Sequence, residues 1–184
     1  MTVHHSTNLT ATEIERITEL EGADLHDLCD AAEAAIRDGG GFGWLQPPER
    51  HVMETYWKGV LLVPERDLLV ARVDGVIAGS AQLLRAPRNN EAQAYVGTLS
   101  TFFVAPWARG HGLARRLVES VEELALAHGL KVVNLDVRES QHRAIQIYHH
   151  LGYEHWGTNP CYALVDGEWA KGYYYYKYLA AEPA

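Results

Sequence analysis

Residues 107–129, WARGHGLARRLVESVEELALAHG, place two glycines among basic residues directly before a long amphipathic run. Glycine at the start of a helix weakens it by up to about 1 kcal/mol relative to alanine. The preceding residues, AYVGTLSTFFVAP, are rich in β-branched and aromatic side chains, as strands are. The pattern predicts a strand, a glycine loop and a helix ending near Ala127, with the loop backbone open to close approach.

The loop has the features of an anion-binding site. The first N–H groups of a helix have no intrahelical partner, and the helix dipole is positive at that end. Glycines let an anion reach the main chain, and flanking arginines add charge-assisted hydrogen bonds. The residues predicted to bind a phosphate group are Arg109, Gly110, His111, Gly112, Leu113, Ala114 and Arg115. A capped surface helix with solubilising arginines is the alternative, and neither a Walker loop nor a Gly-x-Gly-x-x-Gly fingerprint is present.

The composition argues against several function classes. The 184 residues include 24 acidic and 16 basic side chains, and the formal net charge of −8 argues against generic nucleic-acid binding. No apolar run approaches the roughly 18 residues of a membrane span, and the first residues do not resemble a signal peptide. We therefore expect a cytoplasmic protein without a nucleic-acid or membrane partner. With 47% hydrophobic residues at this length, a single domain over residues 1–184 is expected.

The rest of the chain predicts an α/β fold with a mixed sheet. Apolar spacing over residues 10–41 favours two helices, or one broken helix, after a possible short first strand. A Pro-Pro pair then begins a further helix, and Asp74-Gly75 predicts the turn of a hairpin. The hairpin strands are expected at 68–73 and 76–84, and the later elements are a strand at 131–137, a helix over 141–152 and strands near 153–157 and 172–179.

Two motifs in a fixed order indicate one family. Arg109, Gly112 and Ala114 occupy the positions of a pyrophosphate-loop pattern, Arg/Gln-x-x-Gly-x-Gly/Ala. A second pattern, Asn-x-x-Ala-hydrophobic-x-hydrophobic-Tyr-x-x-hydrophobic-Gly-Phe/Tyr, is matched from its alanine onwards. The matching residues are Ala144, Ile145, Ile147, Tyr148, Leu151, Gly152 and Tyr153. Over about residues 68–157 the sequence resembles the GNAT superfamily of acyl-CoA-dependent N-acyltransferases, and more loosely its tabtoxin-resistance type. The resemblance implies a mixed, mostly antiparallel central sheet with a splayed strand pair, flanked by helices.

The resemblance also implies acetyl-CoA as co-substrate and assigns roles to further residues. Phe102, Phe103 and Val104 end the strand that splays in the family, so their backbone groups would bind the pantetheine chain and stabilise an oxyanion. The family has an asparagine that contacts the cofactor, and Gln141, whose side chain is one methylene longer, stands at its position here. Tyr148 matches the general acid that protonates the departing thiolate. The alternative for Tyr148 is that its ring merely packs against the sheet.

The general base has no family motif in this sequence. Asp136 lies in the apolar run VVNLDVR, where a carboxylate is costly unless it has a partner or a function. Alternation puts Asp136 and Asn134 on one side of the strand, which is either the substrate cleft or the solvent face of the sheet. Asp136 is our candidate base, and Glu139 and His111 are weaker candidates.

The ten histidines do not predict a metal site. His4-His5 and His149-His150 are adjacent pairs, whose side chains point in different directions on a helix or strand. Zinc ligands on a helix are typically spaced i, i+4. We therefore expect no metal.

Three functions fit these observations. The first is acetyl transfer from acetyl-CoA to a primary amine of a small molecule; the second is acetylation of a protein N-terminus or lysine. The third is acyl-CoA binding without catalysis. Aromatic residues of segment 41–57 would form a closed acceptor-side wall or pack in the core; they are Phe42, Trp44, Tyr56 and Trp57. Tyrosines on both faces of the last strand suggest contact with the core and with a second subunit, so a homodimer is expected.

Overall fold

A seven-stranded sheet forms the centre of the computed structural model, which describes residues 10–40 and 42–179. The strands are β1 (Thr12–Ile17), β2 (Arg66–Val73), β3 (Val76–Arg85), β4 (Val96–Val104), β5 (Val132–Arg138), β6 (Glu154–Val165) and β7 (Glu168–Tyr178). The helices are α1 (Asp24–Arg37), α2 (Arg50–Val60), α3 (Leu113–Ala127) and α4 (His142–His150). The strand order is β1-β2-β3-β4-β5-β7-β6, and the β4–β5 pair is parallel while the other pairs are antiparallel. The predicted fold class, a mixed and mostly antiparallel sheet flanked by helices, is confirmed.

Helices cover both faces of the sheet because strand side chains alternate between two apolar clusters. In β2, Leu69 and Ala71 belong to the cluster under α3 and α4, whereas Leu68 and Val70 belong to the cluster under α1 and α2. All four side chains are buried, which explains why this strand is a continuous apolar run. No helix in the described part of the chain is both long and apolar enough to cross a lipid bilayer.

Most predicted elements lie close to their expected bounds. The hairpin of β2 and β3 turns at Asp74 and Gly75, whose φ angles of 49° and 86° suit a two-residue turn. After the glycine loop, α3 ends at Ala127 as predicted, and β5 and α4 follow in the expected order. β6 is longer than predicted, because it continues through an irregular stretch to Val165.

The predicted helix over the first part of segment 10–41 was wrong. Residues 12–17 form β1, which pairs antiparallel with residues 68–73 of β2. Ile14 and Ile17 suggested a helix face by their spacing of three, but in a strand that spacing puts them on opposite faces. Ile14 accordingly packs under α3, and Ile17 belongs to the cluster under α1 and α2. Pairing with β2 satisfies the backbone of this β-branched segment, and tertiary context therefore overrides the local pattern.

β4 contains one extra residue, which changes the face that its side chains reach. Ser100 and Phe103, three residues apart, pair with β3 residues only two apart. Between them, Thr101 has a φ of 49°, a strained conformation for a β-branched residue. Leu99 consequently packs under α3, whereas Phe103 packs under α1 and α2. Such a bulge bends and twists the strand that carries it.

β4 and β5 separate after a short pairing. Residues 96–98 pair with residues 132–134, and within the described residues no further pair joins the two strands. On its other side, β5 pairs with β7 along its whole length. The predicted splayed strand pair is therefore present, and its opening lies beside the second half of β4.

Candidate active site

A cavity of about 930 Å³, which we call the large cavity, lies beside the free stretch of β4. Its walls include residues 38–40 after α1, residues 102–104 of β4, the glycine loop with the start of α3, and residues 140–144 at the start of α4. Every residue predicted to contact the cofactor lines this cavity except His111. The His111 ring instead makes a hydrogen bond through Nδ1 to the Ala108 carbonyl oxygen at 3.0 Å.

The glycine loop offers bare backbone to this cavity. Gly110 and Gly112 have φ angles of 87° and 71°, which residues with side chains rarely adopt. No heavy atom lies within 4 Å of the place where a Cβ would stand on either residue. The N–H of Arg116 donates to the Gly112 carbonyl oxygen at 3.2 Å, so the amides that precede it at the start of α3 remain available to a ligand. The loop therefore fits a diphosphate.

Arginines around the loop differ in where they point. Arg109 makes an ion pair of 2.5 Å with Asp38 across the mouth of the large cavity. Arg115 lines the cavity and pairs with Glu119 one turn along α3 at 2.7 Å. Arg116, the third basic residue near the glycines, turns away and donates to Thr12 Oγ1 on β1 at 2.7 Å. Arg109 and Arg115 are thus the two predicted cations that can meet an anion in this cavity.

Gln141 links the two sides of the large cavity. It is the N-cap residue of α4, and its Nε2 donates to the Gly39 carbonyl oxygen at 2.6 Å. Arg138 Nη2 donates to the same oxygen at 3.4 Å. The N-termini of α3 and α4 therefore both open into one cavity, and their dipoles favour negative charge there.

Tyr148 lies in an aromatic cluster behind the splayed strand. Its side chain is buried, and its ring centroid is 6.0 Å from that of Phe102, which lines the large cavity. The rings of Tyr153 and Tyr175 lie 5.6 and 6.1 Å away. Burial raises the pKa of Tyr148 well above its usual value, and the charge of Asp136 raises it further. The phenol therefore carries its proton at neutral pH.

A second cavity of about 200 Å³, the small cavity, lies on the other side of the β4 bulge. Phe42, Gly43, Leu99, Ser100, Thr101, Asp136 and Tyr162 line it. Ser100 and Thr101 face the small cavity while the next three residues of β4 line the large one. Asp136 lines this cavity and is also exposed to solvent.

The aromatic residues of segment 41–57 divide between wall and core. Phe42 lines the small cavity and stacks on Phe103, with centroids 4.8 Å apart. Trp57 is fully buried between helix and sheet, which is the core alternative. Trp44 and Tyr56 are partly buried and contact each other edge to face at 5.1 Å. The Tyr56 hydroxyl also meets Thr101 Oγ1 at 3.2 Å and supports the strained bulge.

Comparison with known proteins identifies the family. The model of the acetyltransferase (GNAT) family matches residues 26–153. The chain belongs to the GNAT acetyltransferase family. It is 65% identical over 135 residues to an uncharacterised N-acetyltransferase of the hisH-hisA intergenic region of Azospirillum brasilense, covering 73% of this chain and 80% of that protein.

Solved structures share the fold of this GNAT chain. A provisionally assigned acetyltransferase of Salmonella typhimurium, solved with its cofactor acetyl-CoA, has a TM-score of 0.75 and 19% identity, covering 95% of this chain and 97% of that one. A ribosomal-protein-alanine N-acetyltransferase of Brucella melitensis has a TM-score of 0.75 and 20% identity, covering 90% and 99%. The protein is thus an acetyltransferase whose co-substrate is acetyl-CoA.

Several residues at the two cavities of this GNAT protein were not predicted. Asp38, Gly39 and Gly40 line the large cavity, and a run of glycines beside an acidic residue suits a ligand wall. Arg143 at the start of α4 also lines the large cavity. Tyr162 gave no local signal, because it reaches the small cavity through the pairing of distant strands.

Only one of the two adjacent histidine pairs, His149-His150, lies in the described part of the chain. His149 Nε2 lies 3.2 Å from the Tyr175 hydroxyl, and His150 Nδ1 lies 2.7 Å from the Gln146 carbonyl oxygen. His4 and His5 lie outside the described residues. Within the residues that the structure describes, no group of three or more metal-ligating side chains is placed to hold an ion.

Proposed function

We propose that this enzyme transfers an acetyl group from acetyl-CoA to a primary amine of a small molecule by direct attack in a ternary complex. The observation that carries the proposal is the small cavity of about 200 Å³, which adjoins the splayed strands and contains a carboxylate. Phe42 and Tyr162 narrow this cavity from two sides. A compact amine suits such a cavity, whereas a protein substrate needs a groove that admits a peptide chain.

The large cavity would hold the co-substrate mainly by its backbone. The amides of Gly112, Leu113 and Ala114 would bind the diphosphate, with Arg109 and Arg115 adding charge. Backbone groups of residues 102–104, which β5 does not pair, would bind the pantetheine arm like a neighbouring strand. Bound in this way, acetyl-CoA supplies the acetyl thioester. Alignment of two substrates accounts for much of the rate in such reactions.

Two side chains would then accept and donate the protons of the reaction. The ammonium form of the acceptor gives one proton to Asp136, directly or through water, and becomes nucleophilic. As the nitrogen attacks, the C–N bond forms and the C–S bond breaks, and the Tyr148 phenol gives its proton to the sulfur. The nitrogen releases a second proton as the amide forms, and this proton restores the Tyr148 phenol. Burial raises the pKa of Tyr148, so the phenol carries the proton that this step uses.

A substrate screen tests the proposed function. The purified full chain is mixed with acetyl-CoA and a panel of compact primary amines, and free thiol is followed with a chromogenic disulfide. Steady thiol release that depends on one amine class is the expected result. Peptides with free N-termini or lysines are tested in parallel. Turnover with peptides alone would overturn the small-molecule assignment in favour of protein acetylation.

We also propose that the enzyme is a homodimer. Large apolar side chains are exposed on the β6–β7 hairpin, at the edge of the sheet: Trp156 is 63% exposed, Trp169 is 61% exposed and Leu164 is 52% exposed. Burying these side chains against a second copy would remove an apolar patch from water. Light scattering coupled to gel filtration should give twice the mass of 20.6 kDa, and Trp169→Glu should give the monomer mass. A monomeric parent would overturn the proposal.

A further inference from the structure

β6 has two extra residues at the point where it passes the active site. Asn159 pairs with Gly172, and Ala163 pairs with Ala170, so four steps along β6 match two along β7. The Cys161 N–H donates to Asn159 Oδ1 at 2.9 Å, which closes the irregular stretch on itself. Tyr162 is the last residue of this bulge. Bulges redirect side chains, and this one turns Tyr162 across the sheet.

Gly172 makes room for the Tyr162 ring. A Cβ at residue 172 would stand 2.1 Å from Cγ of Tyr162, which is far inside any real contact. Its φ is not positive, so the missing side chain matters here rather than backbone freedom. Tyr174 flanks the ring edge to face, with centroids 6.2 Å apart at 81°. The ring therefore passes over β7 towards β5.

The Tyr162 hydroxyl contacts Asp136, the candidate base. It donates a hydrogen bond to Asp136 Oδ2. Asp136 stands two residues after the last β5 residue that pairs with β4, so it borders the splayed opening. Both residues line the small cavity together with Ser100 and Thr101. An exposed carboxylate can adopt several orientations, and a donor in a fixed position holds it in one of them.

Charges near this pair decide which partner keeps the proton. Burial raises the pKa of Tyr162, the hydrogen bond to Asp136 raises it further, and Arg138 opposes both more weakly. The phenol therefore stays protonated at neutral pH and acts only as a donor. Arg138 directs its guanidinium to the Gly39 carbonyl oxygen on the side of the large cavity.

From this arrangement we propose that Tyr162 is a positioning residue. It holds the Asp136 carboxylate at the wall of the small cavity, and the held carboxylate selects acceptors that arrive as compact primary ammonium ions. The ammonium donates to Asp136 and then gives it one proton, while the Tyr162 phenol keeps its own. The proposal rests on the proposed function and adds the residue that positions its carboxylate.

The test is Tyr162→Phe in the full chain, with the best amine from the screen. The ring and its packing on Gly172 stay, and only the hydroxyl is lost. We expect kcat/KM for the amine to fall about tenfold, since hydrogen bonds to charged groups are the stronger ones. The fall should lie mainly in KM. KM for acetyl-CoA should not change.

Three further variants separate positioning from a general loss of structure. Tyr174→Phe removes the neighbouring phenol and should leave the KM for the amine as in the parent. Gly172→Ala should reproduce the Tyr162→Phe effect by displacing the ring. In an Asp136→Asn background, Tyr162→Phe should cause little further loss, because the two residues act as one unit.

The outcomes distinguish this proposal from the one on which it rests. If an amine is acetylated and Tyr162→Phe leaves its KM unchanged, the positioning role is wrong and the proposed function stands. If Tyr162→Phe and Tyr174→Phe raise the KM for the amine equally, the positioning role of Tyr162 is also wrong. If no small amine is acetylated, both proposals are overturned.

Discussion

The two cavities on either side of the β4 bulge are built from different parts of the protein. The large cavity contains a glycine loop with exposed backbone and the N-termini of two helices. The small cavity is made of side chains from separate segments that meet only in the folded sheet. A backbone site binds the constant part of a co-substrate by general features, whereas a side-chain site can change its acceptor by a few substitutions. The difference indicates where acetyltransferases of this fold can diverge.

Gly112→Glu is the strongest way to break the large cavity. It adds a side chain at a positive φ and a negative charge where a diphosphate is expected. We expect affinity for acetyl-CoA to fall at least about a hundredfold in calorimetry, because like charges in close contact cost several kcal/mol.

Gly129→Glu is the matched control for this change. Gly129 follows the other end of α3, also has a positive φ of 77° and also has open space around it. This variant should melt at a lower temperature but bind acetyl-CoA as the parent does. Equal affinity of Gly112→Glu and the parent would contradict the diphosphate assignment.

Tyr148→Phe tests the proposed general acid, which is buried behind Phe102 of the large cavity. Loss of the phenol proton should lower kcat by about a hundredfold, the lower range for general acid catalysis, with little change in acetyl-CoA affinity. Since the pKa of Tyr148 is raised by burial, the parent should keep its activity to high pH.

The control for Tyr148 is its neighbour Tyr153. Tyr153→Phe removes another buried phenol whose pKa is raised by burial, and the two ring centroids are 5.6 Å apart. This variant should retain the parent's kcat. Activity of Tyr148→Phe at the parent's level across the pH range would mean that water protonates the thiolate.

Asp38→Asn should sharpen the description of the large cavity by a small gain. Asp38 occupies Arg109 in an ion pair, and both side chains are partly exposed, at 45% and 36%. A diphosphate must compete with this carboxylate, so its removal should tighten acetyl-CoA binding by about two- to fivefold, as expected for an exposed pair.

Glu33→Gln serves as the control for Asp38. It breaks another exposed ion pair at the end of α1, with Arg37, and neither residue lines the large cavity. Its affinity for acetyl-CoA should equal that of the parent, measured by calorimetry at low and physiological salt. Weaker binding by Asp38→Asn would mean that Asp38 supports the site rather than competing in it.

The sequence carries much more information about the large cavity than about the small one. The glycine loop is contiguous, and its physical logic lies in neighbouring residues such as Arg109 and Gly112. The motif around Tyr148 is likewise local. The positions of both motifs in the fold could be predicted because a helix start and a short motif do not depend on distant pairing.

The small cavity and the first strand depend on distant pairing. Tyr162 reaches Asp136 only because β6 bulges against β7 and Gly172 leaves room, and each condition involves residues far apart in sequence. Ile14 and Ile17 carry a spacing that suits a helix until β2 pairs with them. Thr101 gives no sign in the sequence that its φ is positive. Such features follow from the register of strands, which one sequence does not reveal.

Because β4 and β5 separate after three paired residues, a gap opens between them in the middle of the sheet. A ligand that lies along residues 102–104 completes this sheet, and free energy of binding then adds to free energy of folding. At a hundredfold excess of ligand over its dissociation constant this linkage is worth about 2.7 kcal/mol. The resistance of the chain to heat and to proteases should therefore rise with the concentration of acetyl-CoA.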